Sequence, residues 1–260
     1  MGPQEMNRDE YQFLYELEGH HWWFVGMRKI IAAILDRQSL SRPLRILDAG
    51  CGTGFTMSWL RRYGIDTRVY GLDFSPDALG YCRQRGESLL VRGSVRDLPF
   101  PNCAFDVIVT LEVLDWFSPA EVTQPFAEMA RVLKEGGLLL VRLPAFQLLR
   151  GAHDDAIRTV HRYRAAELAQ CMVRQGSKLE RVTYANTFLF PIAVVWRWLH
   201  RSQQKQPHSD VRPLPKFISW LNPIFVWILG VEAALLRHFR WRLPVGLSVI
   251  ALARKPSNRQ

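Results

Sequence analysis

Residues 44–54 read Leu-Arg-Ile-Leu-Asp-Ala-Gly-Cys-Gly-Thr-Gly. Ile46 and Leu47 belong to a short apolar run that is typical of a buried strand, and Asp48 stands where that strand ends. The glycines at alternate positions predict a tight turn, and residues 55–63 are predicted to form a helix. A strand, a glycine-rich turn and a helix place a ligand at the carboxyl edge of a parallel sheet, because glycine lets the ligand approach the backbone.

The spacing of the glycines separates this turn from a dinucleotide site. The pyrophosphate fingerprint is G-x-G-x-x-G, whereas here Asp48 precedes Gly50, Gly52 and Gly54 in the pattern D-x-G-x-G-x-G. A carboxylate at that position suits a ligand with a cationic amino-acid end better than a pyrophosphate. The stretch resembles the first motif of the class I S-adenosylmethionine (SAM) dependent methyltransferases, which implies SAM as the cofactor. A glycine turn without a ligand is the alternative.

The next predicted strand ends in a second acid. Residues 68–72 lead into Asp73 and Phe74, about 20 residues after the glycine turn. At that spacing a carboxylate accepts hydrogen bonds from both hydroxyls of a ribose, which accounts for the residue type. Ser75 is predicted to cap the following helix, with Pro76 as its first residue.

Later strands supply further candidates around the same edge. The family resemblance aligns Ser94, followed by Val95, with an acid that lies near the adenine amino group, and a serine hydrogen-bonds that group more weakly. Residues 105–109 form the clearest buried strand. They lead to Leu111 and Trp116 in the loop that the resemblance places beside the methionine end of SAM. Many relatives have histidine at the position of Trp116, so a more apolar wall for the substrate is expected.

The segment before the first core strand is predicted to be helical. Residues 5–37 show helical spacing and include the run Trp22-Trp23-Phe24. This cluster is either a lid over the glycine turn, in which Trp23 contacts the substrate, or packing of a helix on the sheet. Arg28 is a candidate partner for a cofactor or substrate carboxylate. The expected cofactor residues are Asp48, Gly50, Cys51, Gly52, Gly54, Asp73, Phe74, Ser94, Val95, Leu111 and Arg28.

The acceptor is expected to meet residues that follow the fifth strand. Residues 144–163 resemble a bacterial methyltransferase subgroup in which His-Asp precedes a basic stretch that ends Arg-Tyr. If the acceptor is a hydroxyl, a base helps to remove its proton, and histidine is the usual choice near neutral pH. His153 oriented by Asp154 is the first catalytic candidate, and a purely structural loop is the alternative. The remaining candidates are His161 as a second base, and Arg162 and Tyr163 in substrate binding.

The alternation of helices and apolar strands predicts a doubly wound, Rossmann-like α/β sheet of seven strands, with helices on both faces. The last two strands are expected at residues 179–184 and 247–253, and the sequence between them is far too long for a hairpin loop. The expected segments are an N-terminal helical lid (1–40), a SAM-binding core (41–184), a helical insertion (185–246), and the final strand with the tail (247–260).

The insertion combines apolar helices with positive charge. Residues 186–260 hold 11 basic and 2 acidic residues, so nearly all of the net charge of +10 lies there. Two apolar stretches, 188–199 and 217–236, are too short or too interrupted to cross a membrane. They predict an interfacial helical cap on a membrane surface that also lines an apolar acceptor pocket. The alternative is a buried substrate-domain or homodimer interface. RNA binding is disfavoured because no recognisable motif accompanies the charge.

The composition limits the remaining classes. Four cysteines without a C-x-x-C spacing argue against a zinc site or a disulfide framework, so no metal is expected and a reducing compartment is favoured. The polar N-terminus lacks the apolar region of a signal peptide, which favours a cytoplasmic protein at the inner face of the membrane.

The leading hypothesis is a SAM-dependent methyltransferase that acts on an apolar or lipid-like acceptor, at oxygen. One rival is methylation of a substrate carried on an acyl carrier protein, because an acidic carrier suits the basic tail. A rival from another class is a non-catalytic membrane adaptor with the SAM fold.

Overall fold

A computed structural model describes residues 8–40, 42–151, 154, 158–200, 220–239 and 242–257. Within these ranges seven strands form one sheet in the order β3-β2-β1-β4-β5-β7-β6. Strands β1 to β5 pair in parallel, and β7 runs antiparallel to both of its neighbours, β5 and β6. The strands are β1 (Arg45–Ala49), β2 (Arg68–Asp73), β3 (Leu90–Arg92), β4 (Phe105–Leu111), β5 (Leu133–Pro144), β6 (Lys178–Ala185) and β7 (Ser248–Arg254).

Helices cover both faces of this sheet, as the sequence predicts. Neighbouring residues in a strand point to opposite faces, so Ile46 packs with the helices on one side and Leu47 with those on the other. The first side holds α2, α3, α4 and α8, and the second holds α5 and α6. The helices are α1 (Arg8–Leu17), α2 (Trp22–Leu35), α3 (Phe55–Leu60), α4 (Pro76–Gln84), α5 (Thr123–Val132), α6 (Ala165–Arg174), α7 (Phe190–His200) and α8 (Asn222–His238).

One helix boundary differs from the sequence prediction. The pattern predicts a helix over 119–134 that a glycine ends, but α5 stops at Val132 and β5 already begins at Leu133. The backbone N–H of Gly136 donates to the carbonyl of Lys255 at 2.9 Å, and the N–H of Lys255 donates to Gly137 at 3.0 Å. Pairing with a distant segment therefore holds this stretch extended.

The insertion lies between β6 and β7, and α8 packs along α2. A Cβ atom on Gly26 of α2 would lie 2.2 Å from Cδ1 of Leu229. The two helices therefore approach more closely at Gly26 than a residue with a side chain at that position would allow. The side chain of Asn222 accepts from the N–H of Trp22 at 2.9 Å. The buried carboxylate of Glu232 accepts from the backbone N–H groups of Asn186 (2.6 Å), Thr187 (2.8 Å) and Phe188 (3.3 Å).

The polar residues that interrupt the apolar stretch are thus the groups that anchor it. None of the helices that the structure describes combines the length and the apolar character needed to cross a membrane. The predicted linker over 201–215 lies outside the described residues.

Candidate functional site

A cavity of about 620 Å³ opens at the carboxyl edge of β1, β2 and β4. The glycine turn and the ends of β2 and β4 form its floor, and residues of α1 and α2 form its opposite wall. The described part of the insertion contributes no lining residue, so the prediction that the insertion lines the acceptor pocket is wrong for these residues. The physical reason is its attachment to α2, which keeps it away from the cavity.

The glycine turn is tightly held yet bare on its cavity side. Gly50 and Gly52 have φ of +84° and +52°, where side chains are strained. The N–H groups of Gly50 and Cys51 donate to the carbonyl of Leu72 at 2.7 and 3.0 Å. A Cβ atom on Gly52 would meet nothing within 4 Å, so its backbone borders open space. Gly54 begins α3 and lies against Cys82, outside the cavity lining.

Asp48 lies beside this turn and has an unpaired carboxylate oxygen. It is 2% exposed and lines the cavity, and its Oδ2 has no hydrogen-bond partner among the described residues. Burial, followed by the charges of Glu18, Asp73 and Glu87, raises its pKa well above the ordinary value. An orphaned buried oxygen of this kind calls for a donor, preferably a cation, on the ligand. The ammonium group of SAM fits that requirement.

The residues predicted to contact the ribose and the adenine also line the cavity. The Asp73 carboxylate accepts from the N–H of Gly52 at 2.9 Å and from that of Ser75 at 3.0 Å, which fixes it at the end of β2. Ser94 lines the cavity, and its hydroxyl accepts from the N–H of Arg96 at 3.2 Å. The remaining predicted cofactor residues in the lining are Phe74, Val95 and Leu111.

The aromatic residues of α2 divide between the cavity and the packing of the helix, the two locations that the sequence leaves open. Trp23 and Arg28 line the cavity, whereas Trp22 packs against Phe225 of α8 with ring centroids 5.1 Å apart. Arg28 donates to the main-chain oxygen of Glu18 at 2.6 Å. Burial lowers the pKa of Arg28 to about 10, so it remains a cation at neutral pH. Trp116 lies on the cavity wall as expected.

The lining also contains charged residues that the sequence analysis does not predict, among them Glu18 and Arg142. Glu18, at the end of α1, accepts from Thr53 and lies 3.3 Å from Arg85, and burial raises its pKa. Arg142 is 6% exposed and lies in β5 among apolar residues. A charge inside a buried strand is a signal that the sequence does contain. No comparable signal marks Glu18, which only the docking of α1 brings to the cavity.

The predicted catalytic segment is arranged differently from the expectation. His153 lies outside the described residues. Asp154 is buried and holds Arg162 through two hydrogen bonds of 2.7 and 3.1 Å, and it also accepts from the N–H of Gly151 at 2.8 Å. Neither Asp154 nor Arg162 lines the cavity, so the structure does not bring Arg162 to a substrate. Their mutual ion pair stabilises the loop instead.

His161 and Tyr163 also lie outside the cavity lining. The ring of His161 packs edge-on against Tyr163 with centroids 4.6 Å apart, and its Nε2 lies 3.7 Å from Glu167. Tyr163 is 1% exposed and belongs to the core. From the same segment Arg158 and Val160 reach the cavity. Within the described ranges, no cluster of His, Cys, Asp or Glu is arranged to hold a metal ion.

The fold and the site together define the class. A doubly wound sheet with an acid-flanked glycine turn, a second acid on the neighbouring strand and a cavity between them is a nucleoside-binding α/β domain. The part of the chain at residues 47–141 matches the model of the family described as "Methyltransferase domain".

Related proteins agree with this assignment. The malonyl-[acyl-carrier protein] O-methyltransferase of Herminiimonas arsenicoxydans is 38% identical over 116 residues, 44% of this chain and 43% of that protein. The fatty-acid O-methyltransferase of Mycolicibacterium smegmatis is 35% identical over 99 residues, 37% of this chain and 35% of that protein. The chain therefore spans less than half of the length of each of these two relatives.

A solved structure shows the same fold. The methyltransferase from the Haloferax volcanii complex with the Trm112 activator superposes with a TM-score of 0.63 at 18% identity, covering 98% of this chain and 100% of that chain. Residues 47–141 therefore resemble a methyltransferase domain, and the described fold is shared with this solved structure. The predicted fold class is confirmed, as is SAM as the cofactor of the family.

Proposed function

We propose that this protein transfers a methyl group from SAM to an oxygen atom of an apolar acceptor. The observation that carries the proposal is the unpaired, buried oxygen of Asp48, a residue that lines a cavity large enough for small molecules together with a bare glycine turn. SAM, when bound, supplies a methyl group that is already electrophilic on a sulfonium. The protein must mainly align the acceptor and exclude water.

We assign a role in cofactor binding to four of the lining residues. Asp48 holds an ammonium group, Asp73 holds ribose hydroxyls, and Arg28 offers a cation to a carboxylate. Ser94 offers a hydroxyl toward the base. Helices α1 and α2 shield this edge of the sheet from water.

The cavity lining includes apolar and aromatic residues that we assign to the acceptor. They are Leu14, Trp23, Phe24, Val113 and Trp116. An acceptor with an apolar chain gains binding energy there by leaving water. The names of the two relatives, which both describe O-methylation, support oxygen as the methylated atom.

Titration calorimetry with SAM tests the proposal. We expect wild type to bind SAM, and we expect Asp73→Ala to lose affinity by at least ~10-fold, since a carboxylate bridging two hydroxyls supplies charged hydrogen bonds. Asp66→Ala is the matched control, because Asp66 is exposed in the turn before β2. Absence of binding by wild type, or equal affinities of both variants, contradicts the proposal.

We further propose that the protein binds its acceptor at a membrane surface, which the insertion contacts. Two apolar rows with the spacing i, i+4, i+7 are solvent-exposed on the insertion: Phe188, Ile192 and Val195 near α7, and Trp220, Ile224 and Trp227 near α8. Apolar rows within a strongly basic segment suit an anionic membrane surface. We therefore place the protein at the inner face of the membrane, in peripheral contact, with a lipid-like acceptor.

Co-sedimentation with phosphatidylglycerol vesicles tests this contact. Trp227→Ser is expected to lower the bound fraction, because Trp227 is 67% exposed on the insertion. Ile65→Ser removes an equally apolar side chain that is fully exposed beside β2, and it should leave binding unchanged. Equal effects of the two substitutions refute membrane contact through the insertion.

An acyl carrier protein is a second candidate source of the acceptor. The name of one relative and the basic insertion favour it, because carrier proteins are acidic and electrostatic steering speeds their encounter with a basic surface. A pull-down of a carrier protein that is lost at high salt, without vesicle binding, supports this source over the membrane.

A further inference from the structure

Arg142 is a buried cation with an unpaired donor. It lines the cavity at 6% exposure, and its Nε has no hydrogen-bond partner among the described residues. Nη2 lies 3.5 Å from Oε1 of Glu112, close enough for attraction but beyond a good hydrogen bond. A guanidinium has five donors, and burying them without acceptors is costly.

The neighbours of Arg142 fix its orientation. Its Cζ atom lies 4.8 Å from the ring centroid of Trp23, so the aromatic side chain supports the cation from α2. The backbone N–H of Glu112 donates to the carbonyl of Arg142 at 2.9 Å, which secures the end of β5 against β4. The guanidinium is thus held on the wall of the cavity, where its unpaired Nε is available to a bound ligand.

The order of the strands separates Arg142 from the nucleoside side. The glycine turn follows β1 and Asp73 ends β2, whereas Arg142 lies on β5, beyond β4. Arg28 of α2 already offers a cation for the carboxylate of the cofactor. A second buried cation lies on β5 against Trp23, and we assign it to the acceptor.

We propose that Arg142 binds the carboxylate of the acceptor and that the acceptor is an apolar carboxylic acid, which leaves as its methyl ester. This inference rests on the proposed function and names its substrate class. A planar guanidinium holds a carboxylate through two parallel hydrogen bonds, which an alcohol cannot match.

The chemistry of a carboxylate agrees with the described lining. One carboxylate oxygen forms a bond to the methyl carbon, while the carbon–sulfur bond breaks and its electron pair stays on sulfur. The sulfonium becomes a neutral thioether, the carboxylate becomes a neutral ester, and no proton moves. A carboxylic acid is ionised at neutral pH without help. None of the described lining residues is a histidine, and a carboxylate acceptor requires no such base.

Binding of dodecanoate and dodecanol to the full chain tests the assignment. Calorimetry is performed with S-adenosylhomocysteine present, so that no transfer occurs. Arg142→Gln should weaken dodecanoate binding ~10- to 100-fold, the value of a charged hydrogen-bonded pair, and leave dodecanol binding unchanged. Arg68→Gln, an exposed arginine at the start of β2, makes the same charge change and should alter neither.

Each other outcome has a distinct meaning. Equal losses for dodecanoate and dodecanol overturn the proposal, because Arg142 would then only support the wall. A parallel loss of S-adenosylhomocysteine affinity overturns it in favour of the cofactor carboxylate. Failure of wild type to bind dodecanoate overturns the acceptor class, whereas failure to bind S-adenosylhomocysteine overturns the proposed function itself. If Arg142→Gln does not fold, Arg142→Lys is used, which keeps the charge but loses the paired geometry and should weaken dodecanoate binding selectively.

Discussion

Asp115 is a completely buried carboxyl group in the loop after β4, and its ionisation should control stability near neutral pH. Its Oδ2 accepts from the hydroxyl of Thr159 at 2.9 Å, while Oδ1 has no hydrogen-bond partner among the described residues. Burial, with a smaller contribution from Glu112, raises the pKa of Asp115 to about 7, and the opposing effects of Thr159 and Arg162 are weaker.

The sign of the pH dependence follows from the protons bound in each state. In the unfolded chain an aspartic acid loses its proton near pH 4, whereas folded Asp115 retains it up to about pH 7. The contribution of protonated Asp115 to the free energy of unfolding is therefore complete below pH 4 and is lost as the pH rises through 7. Between pH 5 and pH 8 the loss is about 3 kcal/mol of unfolding free energy, at ~1.4 kcal/mol for each unit of pKa.

Asp115→Asn has no proton to lose, so it should not show this loss. Urea unfolding at pH 5 and pH 8 should show the variant gaining about 3 kcal/mol relative to wild type over that interval. Asp66→Asn, at an exposed position, should follow wild type at both pH values. A stability difference between wild type and Asp115→Asn that is the same at both pH values refutes this reasoning.

Two further predictions concern the attachment of the insertion. Glu232→Ala removes the acceptor of three backbone N–H groups and should lower the unfolding free energy by about 3 kcal/mol or more, whereas Glu135→Ala on the surface should change it little in the same urea titration. Gly26→Ala pushes a methyl group into Leu229 and should lower the melting temperature, since overpacking costs about 1–3 kcal/mol. Gly80→Ala, in an open helical position, should raise the melting temperature, and the reverse order of the two variants contradicts the packing described for α2 and α8.

The cofactor edge was predictable because its signals are local. Asp48 and Asp73 lie at the ends of the apolar strands β1 and β2, and the glycines follow β1. The carboxyl ends of parallel strands meet at one edge of the sheet. Gly50 and Gly52 have positive φ angles, which explains why glycine is needed at these positions. Sequence order alone therefore places these residues around one cavity.

The acceptor side was less predictable because its geometry depends on distant contacts. In the sequence His153 and Asp154 fit a catalytic pair or a purely structural loop, and the structure shows Asp154 in an ion pair with Arg162. Glu18 reaches the cavity because Thr53 and Arg85 hold it there, and both partners are more than 30 residues away along the chain. Contacts of this kind leave no period or spacing in the sequence.

The described part of the insertion packs against α2 and does not line the cavity. Gly26 locks one side of α2 against α8, while Trp23 and Arg28 extend from the same helix into the cavity. Trp227 is exposed on α8, the helix that packs against α2. Because Arg142 rests against Trp23, the position of α2 also sets the position of the guanidinium. If the insertion docks and Arg142 binds the acceptor as proposed, helix α2 is the element that contacts both sites.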